Sequence, residues 1–304
     1  MPERNSNRNF RAIFFDLDGT LLPIDVDVFM KSYFKLLGGT IARMGVNPDT
    51  FMAGMQAGTM GMVTNDAGIP NADAFWPAFW ECVNVPTATG ATKEQLLDAF
   101  DSFYEDAFGT LGAEVKPNPA AARAINTLTA KGYPLVLTTM PMFPRRAVEW
   151  RLNWAGIDPA VFSRITTYEN STAVKPKPNY YAENLAACGL SGADVLMVGN
   201  NTKEDLAACK LGCDGYLITD LLINPVEFDL STVNKGSLED FANWVEQLPD
   251  CGNPATDITN NLVPAADREA ALAAAGVADG SEGGSTTLEE AGKSGGADLH
   301  GTGM

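Results

Sequence analysis

Short apolar runs alternate along this chain with longer stretches in which apolar positions return every three or four residues. The runs are RAIFF (Arg11 to Phe15), PLVLTT (Pro134 to Thr139), RITTY (Arg164 to Tyr168), DVLMVG (Asp194 to Gly199) and GYLIT (Gly215 to Thr219). Each is too short for a helix and rich in branched or aromatic residues, so each predicts a buried strand. The stretches between them read as helices with visible starts. Pro144 leads into RRAVEWRLNWAG and Pro178 into NYYAENLAACG, both placing proline in a first turn where its missing N–H does no harm. Strand and helix in alternation predict an α/β fold, a doubly wound parallel sheet with helices on both faces. In such sheets the working groups collect beyond the carboxyl ends of the strands.

Two segments depart from that rhythm. The long span from Pro23 to Lys116 separates the first strand from the second and carries helical signals instead. In TKEQLLDAFDSFYEDAF, Thr92 and Gln95 form a capping box ahead of Leu96, Leu97, Phe100, Phe103, Tyr104 and Phe108. A helical insertion at this position would fold over the strand ends as a lid. Its Met52, Met55, Met60, Met62, Trp76 and Trp80 fit packing better than ligand contact. From about Cys251 the composition turns to Gly, Ala, Ser, Thr and Asp, which offers too little apolar surface to offset the entropy of ordering. The expected organisation is therefore a core of residues 1–22 and 117–249, an inserted α-helical cap over 23–116, and a disordered tail over 250–304 with room for one short helix around Ala265 to Ala275.

Composition narrows the chemistry. With 304 residues, 45% of them hydrophobic, the chain can bury a large core, and no stretch approaches the roughly 20 apolar residues that span a bilayer. The start, MPERNSNRNF, reads as a polar arm and not a secretory signal, so a cytoplasmic location is expected. A net charge of −17 argues against nucleic acid or anionic membrane as partners, both of which call for a basic surface. The five cysteines form no C-x-x-C pair and read as reduced thiols; Cys209 and Cys213, four apart, have no histidine near them to complete a metal site. The one histidine, His300, lies in the tail. Serine or cysteine triads and histidine-ligated zinc are thereby excluded, and carboxylates, lysine and hydroxyls must carry the chemistry.

The sharpest candidate is FFDLDGT. Asp16 and Asp18 are two apart where the first strand opens into a loop, so both can face one site. Carboxylates held that close repel unless a cation or a proton sits between them, which calls for Mg²⁺ or a raised pKa. Gly19 permits the tight turn that follows. Three further groups fall at later strand ends: Thr138, whose hydroxyl can donate a hydrogen bond to a phosphate oxygen; Lys175 in VKPKP, able to neutralise an anion or simply to be solvated; and VGNNTKED, where Thr202 and Asp205 also fit an ordinary helix start.

DLDGT, LTT, KPKP and GNNTKED resemble, in order and spacing, the four motifs of the haloacid dehalogenase-like superfamily, most of whose members are Mg²⁺-dependent phosphohydrolases. The likeness covers about residues 10–22 and 117–249, and the insertion resembles the helical cap some members carry between motifs one and two. It implies that Asp16 is the nucleophile, forming an aspartyl-phosphate, and that Asp18 is the acid and base. Thr138, Lys175, Gly19 and Thr139 would bind the phosphate, and Asp16, Asp18, Asn200 and Asp205 would hold Mg²⁺. A small phosphorylated metabolite is the implied partner, with hydrolysis favoured over carbon–halogen cleavage because Asp18 is an acid. A phosphomutase and a catalytically weak phospho-ligand-binding protein are the alternatives. The chain departs from the pattern at Asn200, where an aspartate is usual, and at Thr139, where an asparagine is common.

Overall fold

A computed structural model describes residues 9–83 and 91–277. The expected polar arm over 1–8, and His300 with the tail beyond 277, lie outside the described residues. Six strands form one parallel sheet: β1 (Ala12–Phe15), β2 (Leu135–Leu137), β3 (Phe162–Ile165), β4 (Val195–Gly199), β5 (Asp214–Ile218) and β6 (Asn234–Gly236), in the spatial order β3-β2-β1-β4-β5-β6. The doubly wound α/β expectation is borne out. Each of the five apolar runs overlaps a strand, though β3 begins two residues ahead of RITTY and shares only Arg164 and Ile165 with it, whereas β6, with the sequence NKG, has no apolar residue to announce it. It exists because β5 offers it a ladder through Tyr216, Leu217 and Ile218.

Alternation along the central strands sends side chains into two cores. Ile13, Phe15, Leu135, Leu137, Leu196 and Val198 face one layer. Ala12, Phe14, Val136, Val195 and Met197 face the other. The first layer is closed by α5 (Pro119–Ala130), α6 (Arg145–Trp154) and α8 (Leu238–Gln247), the second by α7 (Pro178–Ala187) and α9 (Ala265–Ala274).

Between β1 and β2 run α1 (Val26–Ala42), α2 (Pro48–Val63), α3 (Asn71–Cys82) and α4 (Lys93–Glu105). Their starts are written in side chains: Asp25 caps α1, Asn47 caps α2 ahead of Pro48, and the Thr92–Gln95 capping box forms at α4. The four helices share an aromatic core of Phe29, Tyr33, Phe51, Phe79, Phe100 and Phe103, into which Met55 and Met62 also pack. This layer is fastened to the sheet at a point well away from its two ends. The backbone N–H groups of Asn71 and Ala72 donate to Ser171 and Tyr168 carbonyls. The Asn71 side-chain amide, fully buried, donates to Pro141 O at 3.2 Å and Ala173 O at 3.1 Å.

Residues 251–277 overturn the expectation of disorder. Ala255 N donates to Arg11 O, and Thr259 N to Ala187 O. Arg164 of β3, fully buried, reaches Thr259 O at 2.7 Å, Asn261 O at 3.0 Å and Asn184 Oδ1 at 2.8 Å. Asn260 takes the N–H of Ile165 at 3.0 Å and returns a bond to Ser163 O at 2.8 Å. The segment covers the open edge of the sheet, and an edge left bare is a hazard that folds usually block. Polar bonds to an otherwise stranded arginine supply what apolar area does not.

Beside this seam the Glu183 carboxylate accepts from Thr172 N at 3.0 Å and Thr172 Oγ1 at 2.8 Å. Burial pushes its carboxyl from 4.5 up to about 7. The folded state therefore holds this proton more tightly than the unfolded chain does, so the stabilisation is present below pH 4.5 and fades as pH rises through about 7. Relative to wild type, Glu183→Gln should lose a slope worth roughly 3 kcal/mol across that window. Urea midpoints at several pH values measure it, and parallel curves for the two proteins would refute it.

Candidate active site

The strand order reverses between β1 and β4, and the crevice outside that switch point is where the groups gather. β1 ends at Phe15, so Asp16 and Asp18 belong to the loop that follows. That loop turns tightly: Thr20, Leu21 and Leu22 all donate backbone N–H groups to Leu17 O, and Gly19 N donates to Leu22 O. Gly19 makes the turn possible twice over. Its φ of +81° is in the left-handed region, and a Cβ there would lie 2.3 Å from Asn200 Nδ2.

Lys175 draws three strand ends together. Its Nζ donates to Asp16 Oδ1 at 2.7 Å and to Asp205 Oδ1 at 2.6 Å, and the side chain is fully buried. Burial alone would lower its pKa, but Asp16 and Asp205 outweigh it and raise the ammonium well above its usual range, so it stays charged. The other Asp205 oxygen accepts from Asn201 N at 2.8 Å. A Cβ on Gly199 would sit 2.2 Å from that carboxylate, so glycine is what lets Asp205 come in under the strand end. The helix-start alternative for Thr202 is not what forms: its hydroxyl donates to Asn224 Oδ1 at 2.7 Å, while Asn201 Oδ1 accepts from Lys203 N and Glu204 N.

The second Asp16 oxygen accepts from Thr20 Oγ1 at 3.1 Å, and the same hydroxyl lies 3.2 Å from Asn200 Oδ1. Asn200 Nδ2 donates to Leu221 O at 2.6 Å, which fixes the amide with its oxygen toward Asp16. Asp18 faces a different cation. Its Oδ2 accepts from Arg151 Nη1, whose side chain is 1% exposed. Burial pushes the Asp18 carboxyl up, with Arg151 pulling in the opposite direction. Sequence reasoning missed Arg151, although the signal was present: with Ala147, Val148 and Leu152 it occupies the apolar face of α6, a place where arginine needs a partner.

The two threonines after β2 divide their tasks unexpectedly. Thr138 Oγ1 donates back to Phe15 O at 3.2 Å and also contacts Met197 Sδ. Thr139 Oγ1 is buried with no hydrogen-bond partner among the described residues, while its carbonyl accepts from Tyr180 and Thr166 hydroxyls. Cys82, Cys188, Cys209 and Cys251 are free thiols.

A hard divalent cation fits part of this arrangement. Asp16 Oδ2 and Asn200 Oδ1 are hard oxygens converging on one hydroxyl, the kind of sparse donor set that Mg²⁺ accepts when water completes its shell. Asp205 is less free, since both its oxygens are engaged. Among the described residues no cluster of three or more acidic, histidine or cysteine side chains is arranged around a cation position.

Residues 10–212 match the model of the haloacid dehalogenase-like hydrolases. The chain belongs to this family. The resemblance read from the four motifs is thus borne out, and as a haloacid dehalogenase-like hydrolase the protein is an enzyme. It is 27% identical over 207 residues, 68% of this chain and 84% of the other, to a phosphoglycolate phosphatase of Haemophilus influenzae. The crystal structure of a predicted phosphoglycolate phosphatase from Haemophilus somnus is similar with a TM-score of 0.47 at 19% identity, covering 78% of this chain and 98% of that one. A haloacid dehalogenase-like phosphatase from Thermococcus onnurineus gives 0.47 at 15% identity, over 81% and 100% of the two chains. No described helix of this family member is long and apolar enough to cross a membrane.

Proposed function

We propose that this hydrolase is a cytoplasmic phosphatase acting on a small phosphate monoester, with Asp16 as nucleophile. The observation that carries the reading is the Asp16 carboxylate at the switch point, bonded at 2.7 Å to a buried and permanently charged Lys175. The family assignment and the kinship with a protein named phosphoglycolate phosphatase support it.

In the first step an Asp16 oxygen forms a bond to phosphorus as the bond to the leaving oxygen breaks, and Asp18 delivers its proton to that oxygen. In the second, Asp18 takes a proton from water, the water oxygen bonds to phosphorus, and the aspartyl–phosphorus bond breaks to free Asp16 and phosphate. Lys175 and the unpartnered Thr139 hydroxyl hold the phosphate oxygens, and Gly19 leaves room for the Asn200 amide against the loop. Thr138 stiffens the strand end through Phe15. Asp205 serves mainly to anchor Lys175. Asp16, the Asp18 carbonyl and Asn200 would hold Mg²⁺, which supplies charge neutralisation for the transferring phosphoryl group. The helical insertion acts as the lid that excludes water during transfer.

Phosphate release should be followed over a panel of monoesters, 2-phosphoglycolate first, with Mg²⁺ and with EDTA. Release that needs the metal is expected. Thermal stabilisation by the esters without any release would replace catalysis by ligand binding, and an isomerised ester without release would make the enzyme a mutase. Because Asn200 brings no charge, Asn200→Asp should lower the Mg²⁺ concentration for half-maximal activity by about 10-fold. A metal titration of the two proteins checks this, and superimposable curves would remove Asn200 from the metal site.

A further inference from the structure

Arg151 is too deeply buried to be a solvated charge. On α6 it lies beside Ala147, Val148 and Leu152, all fully buried. A cation in that place persists only where a partner holds it. Its Nη1 donates to Asp18 Oδ2, and two further contacts set the guanidinium plane: Nε donates to Ala147 O at 3.4 Å, and the Phe143 ring centroid lies 4.7 Å from Cζ. Asp18 Oδ1, by contrast, has no hydrogen-bond partner among the described residues. One oxygen of this carboxyl is gripped, and the other is buried with its hydrogen-bonding capacity unused.

We propose that Arg151 is a positioning residue that grips Oδ2 of Asp18 and so presents Oδ1 to the leaving oxygen of the ester. The inference rests on the reading of Asp18 as acid and base given above. Arginine only donates hydrogen bonds, so Oδ2 serves as acceptor whether or not a proton sits on Oδ1. The proton is therefore carried on Oδ1, passes to the leaving oxygen as the phosphorus–oxygen bond breaks, and is regained there from water in the second step. Without Arg151 the carboxyl turns freely, and a misplaced acid protonates poorly.

Leaving groups report on this directly. A basic alkoxide depends on the acid, and an acidic phenol departs without it. We expect Arg151→Met to lower kcat/KM for alkyl phosphates by roughly 100-fold while 4-nitrophenyl phosphate loses less than about 5-fold. Arg151→Lys, which keeps a donor, should recover part of the alkyl rate. A graded series of aryl phosphates between the extremes should show the loss growing with leaving-group basicity. Each comparison is a ratio within one sample, so it is indifferent to how much of a variant folds, and Arg151→Lys carries the same ratio if Arg151→Met is insoluble. Equal losses across the series would reduce Arg151 to a scaffold residue and overturn the inference alone. No phosphate from wild type with any ester would remove the proposed function, and this inference with it.

Discussion

Asp16→Asn should abolish turnover while leaving the fold in place. The substitution keeps the size of the side chain and one acceptor oxygen for Thr20, but it removes the charge and with it the carboxylate proposed to form the bond to phosphorus. Removing the attacking group from an enzyme that works through a covalent intermediate costs on the order of 10⁴-fold or more in kcat. Stability is expected to hold because Lys175 retains Asp205 at 2.6 Å as its partner. Phosphate release and a thermal melt of the same preparation measure the two halves of this statement. Release within 10-fold of wild type, from a folded protein, would remove Asp16 from the chemistry.

The second large effect concerns Lys175. Replacing it with methionine leaves the Asp16 and Asp205 carboxylates, 8% and 1% exposed, facing each other with no cation between them. Breaking a buried pair by removing one partner typically costs about 3–5 kcal/mol, most of it the penalty of stranding the charge that remains. Lys175→Met should therefore unfold at a markedly lower denaturant concentration and release no phosphate. Adding Asp205→Asn removes one of the stranded charges and should restore much of the stability but none of the activity. Denaturant titrations of the single and double variants decide it; a single variant as stable as wild type would mean that the three side chains do not form the buried cluster described.

Much of the sheet is legible in the sequence, and the reason is mechanical. A strand covered on both faces must be apolar throughout, as AIFF and VLMVG are, and five such runs separated by helix-period stretches leave few other folds. The groups that meet at the switch point were legible too, because Asp16, Lys175, Asn200 and Asp205 each follow a strand that the pattern reveals. What escaped is whatever depends on pairing across the chain. Arg151 meets Asp18 over a separation of 133 residues, and Arg164 meets Asn261 over 97; composition and periodicity say nothing of such partners. The segment after Cys251 was misread for that reason, since its order comes from hydrogen bonds to a buried guanidinium and not from its own apolar content. That the Thr138 hydroxyl turns back to Phe15 O while the Thr139 hydroxyl is buried without a partner among the described residues depends on side-chain rotation that no spacing encodes.

Asn71 limits how far the helical layer can move against the sheet. Its bonds to Ser171, Pro141 and Ala173 would have to break before the α2–α3 corner could lift, and buried hydrogen bonds of this kind resist at about 1 kcal/mol apiece. The other side is held as well, since Trp150 Nε1 donates to Tyr104 O at 2.9 Å and Arg146 pairs with Glu105 at 3.0 Å, so the helical layer is tied to the core at both corners.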